Sequence, residues 1–107
     1  MRFKKYTISM GLNDKDSLAP VADYESAKLE VAGRLAQLGV GATITKGVGV
    51  YKHERGDVVI EETVVIAVID FDGGFEAVAE AFYEGLKRDY NQESVAVEVA
   101  TVESELK

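Results

Sequence analysis

His53 stands beside Glu54 in the run YKHERGD and is the only histidine among 107 residues. A histidine next to a carboxylate has the makings of a general base. A base also needs a partner and a pocket, and a metal site needs about three convergent ligands. Neighbours near a strand end point to opposite faces, so the pair reads as an exposed hairpin tip. Arg55, Gly56 and Asp57 supply what a tight turn requires.

Asp70 and Asp72 in DFDGGF lie two apart, on one face if a strand continues. Such a pair could hold a divalent cation, but magnesium or calcium wants more oxygen ligands, and no EF-hand pattern follows. The alternative is Asp72 as the cap of a helix, with Gly73 and Gly74 giving the backbone freedom. The two glycines do not form a phosphate loop, because no lysine with Ser or Thr follows.

Glu76, Glu80 and Glu84 recur every four residues, on one face of a helix. Like charges at that spacing repel, and on the helix itself Lys87 and Arg88 reach only Glu84. With Asp70, Asp72 and Asp57 they outline a negative ridge that would suit a basic groove. The same charges also suit a solvated helix face. The loop GLNDKD, residues 11–16, meets the ligand in many domains of the fold inferred below, a fold-level analogy. Asn13, Asp14 and Asp16 are equally ordinary turn and cap residues.

The elements that must position these groups follow from periodicity. Lys4 to Leu12 alternates as a half-buried strand. After Pro20, which suits a helix first turn, Tyr24, Ala27, Val31, Leu35 and Leu38 recur at helical spacing, and Gly39 ends the helix. GATITKGVGVYKH reads as a second strand and Val58–Asp70 as a third. A second helix spans about Phe75–Tyr90, and ESVAVEVATVE is a fourth strand. The order βαββαβ predicts an α+β, ferredoxin-like sandwich. It has a four-stranded antiparallel sheet with two helices on one face, in a single domain over residues 1–107.

The face away from the helices should carry small or polar residues: Thr7, Ser9, Thr43, Thr45, Gly47, Gly49, Ala96, Glu98 and Ala100. The third strand departs from this, because Val65, Ala67 and Ile69 make that side apolar too. Together with Tyr51 they form a surface that a second copy would cover, or they are scattered aliphatics that need no partner.

Composition narrows the classes. The net charge is −7, divided into +3 over residues 1–52 and −10 over residues 53–107. That asymmetry argues against direct nucleic-acid binding by the second half and allows a basic protein partner. The chain has no cysteine, hence no disulfide or thiolate site. The N-terminal residues show neither an apolar leader nor a membrane span, so a cytoplasmic protein without membrane contact is expected.

KKYTISMGLNDKD, GVGVYKHERGDVVIEETVVIAVID and DYNQESVAVEV, in that order, resemble small acidic proteins of phages and mobile elements of Gram-positive gut bacteria. The resemblance implies an anti-defence role of the anti-CRISPR kind, in which an acidic protein imitates nucleic acid. It implies no catalytic residue.

Three functions follow. One is a non-enzymatic acidic module that inhibits a basic nucleic-acid-handling complex. The alternative is a homodimeric domain that binds a small ligand or regulates. An enzyme is the third, and the shortage of histidine, cysteine and tryptophan weighs against it. No cofactor, metal or catalytic residue is expected.

Overall fold

A computed structural model describes all residues, 1–107. Its elements are β1 (Arg2–Gly11), α1 (Tyr24–Gln37), β2 (Thr43–Lys52), β3 (Val58–Asp70), α2 (Gly74–Asp89) and β4 (Ala96–Glu103). The four strands form one antiparallel sheet in the order β2-β3-β1-β4. This is the expected ferredoxin-like arrangement.

Alternation decides what the helices cover. Tyr6, Ile8 and Met10 of β1 face Val68, Ile66 and Val64 of β3 across the sheet, and all six are buried. Val31 and Leu35 of α1 and Phe75 and Leu86 of α2 close this core. The Phe75 ring meets Tyr6 at 5.0 Å and Phe82 at 6.0 Å, both edge to face, a favoured aromatic geometry. Arg34 reaches Glu30 at 2.5 Å and Asp89 at 2.6 Å, which ties α1 to α2.

Two local expectations change. Pro20 is not in the first turn of α1. Asp23 is the N-cap and accepts the Ser26 N–H at 2.8 Å, while Pro20 forms an isolated bridge with Asn13. The second change is at α2, where the N-cap is Gly73, with φ of 79°. Asp72 accepts only the Gly74 N–H. Asp70 takes the Phe75 and Glu76 N–H groups at 3.2 and 3.0 Å. The carboxylate with two oxygens aimed at the helix start is two residues earlier than the sequence pattern suggested.

The β2–β3 hairpin outruns the helices. Val48, Val50, Val58 and Ile60 lie on its helix side yet are 66–70% exposed. This arm accounts for the long dimension of a molecule measuring 46 × 24 × 22 Å.

Candidate functional site: a carboxylate cleft on the open sheet face

Glu61 is the one acidic side chain the fold buries, at 9% exposure. Its parity along β3 matches Val65, so it faces away from the helices. Across the sheet Gly49 pairs with Glu61, while Gly11 and Gly47 both pair with Thr63. Those glycines make the room. A Cβ on Gly11 would overlap the Glu61 carboxylate, and one on Gly49 would stand 2.8 Å from Thr63 Oγ1. The Asn13 N–H donates to Glu61 Oε1 at 3.2 Å. The other oxygen takes no hydrogen bond from the chain and is not sealed from solvent.

Above this carboxylate lies a cleft of about 370 Å³, within the range of small-molecule sites. Its walls come from three places: the β1–α1 loop (Asn13, Lys15), the arm (Tyr51, His53) and the α2–β4 turn (Gln92, Glu93). Tyr51 is 42% exposed. Burial, then the Glu61 and Glu93 carboxylates, push its phenol pKa above the ordinary value. Tyr51 is therefore a hydrogen-bond donor at neutral pH.

His53 differs from its expectation as a bare hairpin tip. It is half-buried on the cleft wall, and its Nδ1 accepts from Arg55 N and Nε at 3.2 and 3.3 Å. The loop at residues 11–16 makes ordinary turn bonds, Asp14 Oδ1 accepting the Asp16 and Ser17 N–H groups, and its Gly11, Asn13 and Lys15 also line the cleft.

The acidic residues singled out in the sequence do not all meet. Glu76, Glu80 and Glu84 are exposed along α2, with Asp70 and Asp72 at its start. Asp57 sits in the arm turn, beyond the other end of the 13-residue β3. At about 3.3 Å per residue that is on the order of 40 Å away. Glu76 also has a cationic neighbour that helix spacing could not show, Lys4 Nζ of β1 at 3.3 Å. Lys87 Nζ lies 2.8 Å from Glu84. No group of three or more His, Cys, Asp or Glu is placed to hold a metal ion, and no helix is long and apolar enough to cross a membrane.

Val65, Ala67 and Ile69 are half-buried on the open face, in line with Glu61 and Thr63. A larger groove, about 710 Å³, runs past Ala67 and Ile69 to the start of α2. Its carboxylates, Asp70 and Asp72, are engaged by helix N–H groups, so the smaller cleft has the freer chemistry.

The sequence pattern singles out no residue of β3 before Val64, and Glu61 is absent from its candidates. The available signal was parity. Glu61 and Thr63 share a face with Gly47, Gly49 and Gly11, a carboxylate on a strip of glycines.

No protein-family model matches the chain, and no curated protein matches it significantly. Solved structures do. A phage SAM lyase in complex with S-methyl-5'-thioadenosine is 28% identical, with TM-score 0.72, over 92% of this chain and 80% of that one. A phage SAM lyase in the apo state is 23% identical, TM-score 0.70, over 99% and 93%. CPII from Thiomonas intermedia K12, bound to ADP, AMP and acetate, is 19% identical, TM-score 0.55, over 98% and 90%. The last two establish the shared fold. The first corrects the expectation that the chain is not an enzyme. Over 92% of its length the chain is similar in sequence and shape to a lyase, which is an enzyme.

Proposed function

We propose that the chain is a lyase acting on S-adenosylmethionine, with Glu61 as the carboxylate that seats the substrate. The observation that carries this is the placement of Glu61: buried, cradled by glycine, and facing a cleft of about 370 Å³. The 28% likeness to a phage SAM lyase supports it.

The chemistry needs little from the protein. S-Methyl-5'-thioadenosine retains the adenosine, the sulfur and the methyl group, so the bond that breaks joins sulfur to Cγ of the amino-acid arm. A lyase adds no water. The substrate's own carboxylate oxygen bonds to Cγ, the S–Cγ electron pair goes to sulfur, and the arm leaves as a five-membered lactone. No proton is gained or lost, and the amine stays an ammonium. Sulfonium is a strong leaving group and the nucleophile is tethered, which provides a high effective concentration.

Electrostatics then assign Glu61. The sulfonium loses its charge as the bond breaks, so a carboxylate against it would stabilise substrate more than transition state. The ammonium keeps its charge throughout. Glu61 therefore best serves as the counter-ion of the ammonium, holding the arm so that its carboxylate lies behind Cγ. Tyr51 and Thr63 add hydroxyl groups to the same cleft.

The cleft is open to solvent on one side, and displacement of this kind is favoured when water is excluded. The second copy expected across Val65, Ala67, Ile69 and Tyr51 fits this reading, because Tyr51 lines the cleft and the other three follow Glu61 and Thr63 along the same face of β3. The phage or mobile-element setting belongs to the proposal as well, one similar structure being a phage protein.

The test is to incubate the pure chain with S-adenosylmethionine and separate the products by chromatography with mass detection. S-Methyl-5'-thioadenosine together with an amino-acid lactone supports the reading. Unchanged substrate overturns it.

A further inference from the structure

Asn13 gives both of its backbone polar groups to this site. Its N–H donates to Glu61 Oε1 at 3.2 Å, and its carbonyl accepts Gln92 Nε2 at 2.8 Å. Gln92 comes from the α2–β4 turn, 79 residues away in sequence. Its second Nε2 hydrogen goes to the Tyr90 carbonyl at 2.9 Å, so the amide is fixed at both hydrogens.

Asn91, beside it, clamps the same loop. Its Nδ2 donates to Asp14 Oδ2 at 2.8 Å and Asp16 Oδ2 at 3.1 Å, and its carbonyl accepts the Lys15 N–H at 3.1 Å. Asn91 holds a φ of 46°, a left-handed conformation that costs most side chains energy but that asparagine tolerates. Asp14 Oδ1 in turn accepts the Asp16 and Ser17 N–H groups at 2.8 and 2.9 Å. The β1–α1 loop thus cannot slide away from the α2–β4 turn without breaking several hydrogen bonds together.

We propose that Asn91 and Gln92 are positioning residues: they latch the α2–β4 turn onto the β1–α1 loop and so hold the Asn13 N–H against the Glu61 carboxylate. The inference rests on reading Glu61 as the group that seats the substrate ammonium. The latch touches no reacting atom. It fixes one oxygen of Glu61 and leaves the other for the ligand.

Two variants test it without confusing latch and fold. Gln92→Ala removes the clamp on the Asn13 carbonyl. Asn91→Gly removes the Nδ2 donors while keeping a residue at ease with positive φ. The first readout needs no activity. Amide hydrogen exchange at Asn13 should quicken at least about tenfold in both variants, with Ile8 and Ile66 unchanged. The second readout is a double-mutant cycle on the affinity for S-adenosylhomocysteine, a stable ligand with the same ammonium. Gln92→Ala should weaken it roughly tenfold in the wild-type background and by less than about twofold when combined with Glu61→Gln. Unchanged exchange at Asn13, or full additivity of the two substitutions, overturns the latch. A wild-type chain that fails to cleave S-adenosylmethionine but shows the exchange change retains the latch and refutes the lyase.

Discussion

The Glu61 carboxylate lies in the space that a Cβ on Gly11 would fill. Two strands away in sequence but adjacent in the sheet, the two residues fit only because one has no side chain. The atoms that would collide sit at the free end of a flexible glutamate, not in backbone. Gly11→Ala is therefore expected to keep the fold, with unfolding free energy within about 1 kcal/mol of wild type. It is also expected to move the carboxylate and lower S-adenosylmethionine turnover at least about tenfold. Urea unfolding and a product assay on the same preparation check both halves.

Glu61→Gln separates the two ends of the ligand. The variant keeps shape and an acceptor for the Asn13 N–H but loses the charge. S-Adenosylhomocysteine, which carries an ammonium, should bind about tenfold more weakly, or about 1.4 kcal/mol. S-Methyl-5'-thioadenosine, which carries none, should bind within roughly twofold of wild type. Titration calorimetry with both ligands reads the contrast. Equal losses for the two would place Glu61 against the nucleoside instead.

Asp14 makes the loop acid-sensitive in a defined direction. Hydrogen bonds, first from the Asn91 side chain and then from Ser17 and Asp16 N–H groups, lower its pKa from 3.8 to about 2. A carboxyl depressed in the folded state stabilises the fold above its unfolded pKa, and that contribution is lost as pH falls through the folded value. Asp14→Asn should therefore flatten the fall in thermal midpoint between about pH 4 and pH 2 relative to wild type. A fall of identical steepness would mean that Asp14 does not hold the loop.

Asp70→Ala tests the other end of β3. It removes the two acceptors for the Phe75 and Glu76 N–H groups, and loss of such a cap costs about 1 kcal/mol. Glu61 is near the opposite end of the strand, so turnover should stay within about twofold of wild type. Denaturation and kinetics on one variant separate the structural carboxylate from the functional one.

The sheet and helices were legible because their periodicities are clean. Val64, Ile66 and Val68 alternate with Val65, Ala67 and Ile69, and Phe75, Ala79, Phe82 and Leu86 repeat at helical spacing. Local signals misled at three places, twice through a neighbouring cap and once through a partner from another strand. Pro20 looked like a helix start, but Asp23 caps Ser26. Asp72 looked like the cap of α2, but the geometry of the strand end gives that role to Asp70. Glu76 looked unrelieved until β1 brought Lys4 beside it.

The site itself was hidden for a chemical reason. Scarcity of histidine, cysteine and tryptophan counts against most enzymes, which must supply a nucleophile or a base. A sulfonium substrate carries its own leaving group and its own nucleophilic carboxylate, so seating is most of the task. The residues proposed to seat it are a glutamate and a tyrosine beside a strip of glycines. None is distinctive in isolation. Glu61, Gly49 and Gly11 become a group only when the registers of β3 with β2 and with β1 are known.

The most direct measurement compares wild type with Glu61→Gln in S-adenosylmethionine at neutral pH, following S-methyl-5'-thioadenosine with time. The expected result is one thioadenosine released for each substrate consumed by the wild type, and a rate lowered about a hundredfold or more in the variant. No release by the wild type, or equal rates for the two proteins, would contradict the assignment of a lyase site to this cleft.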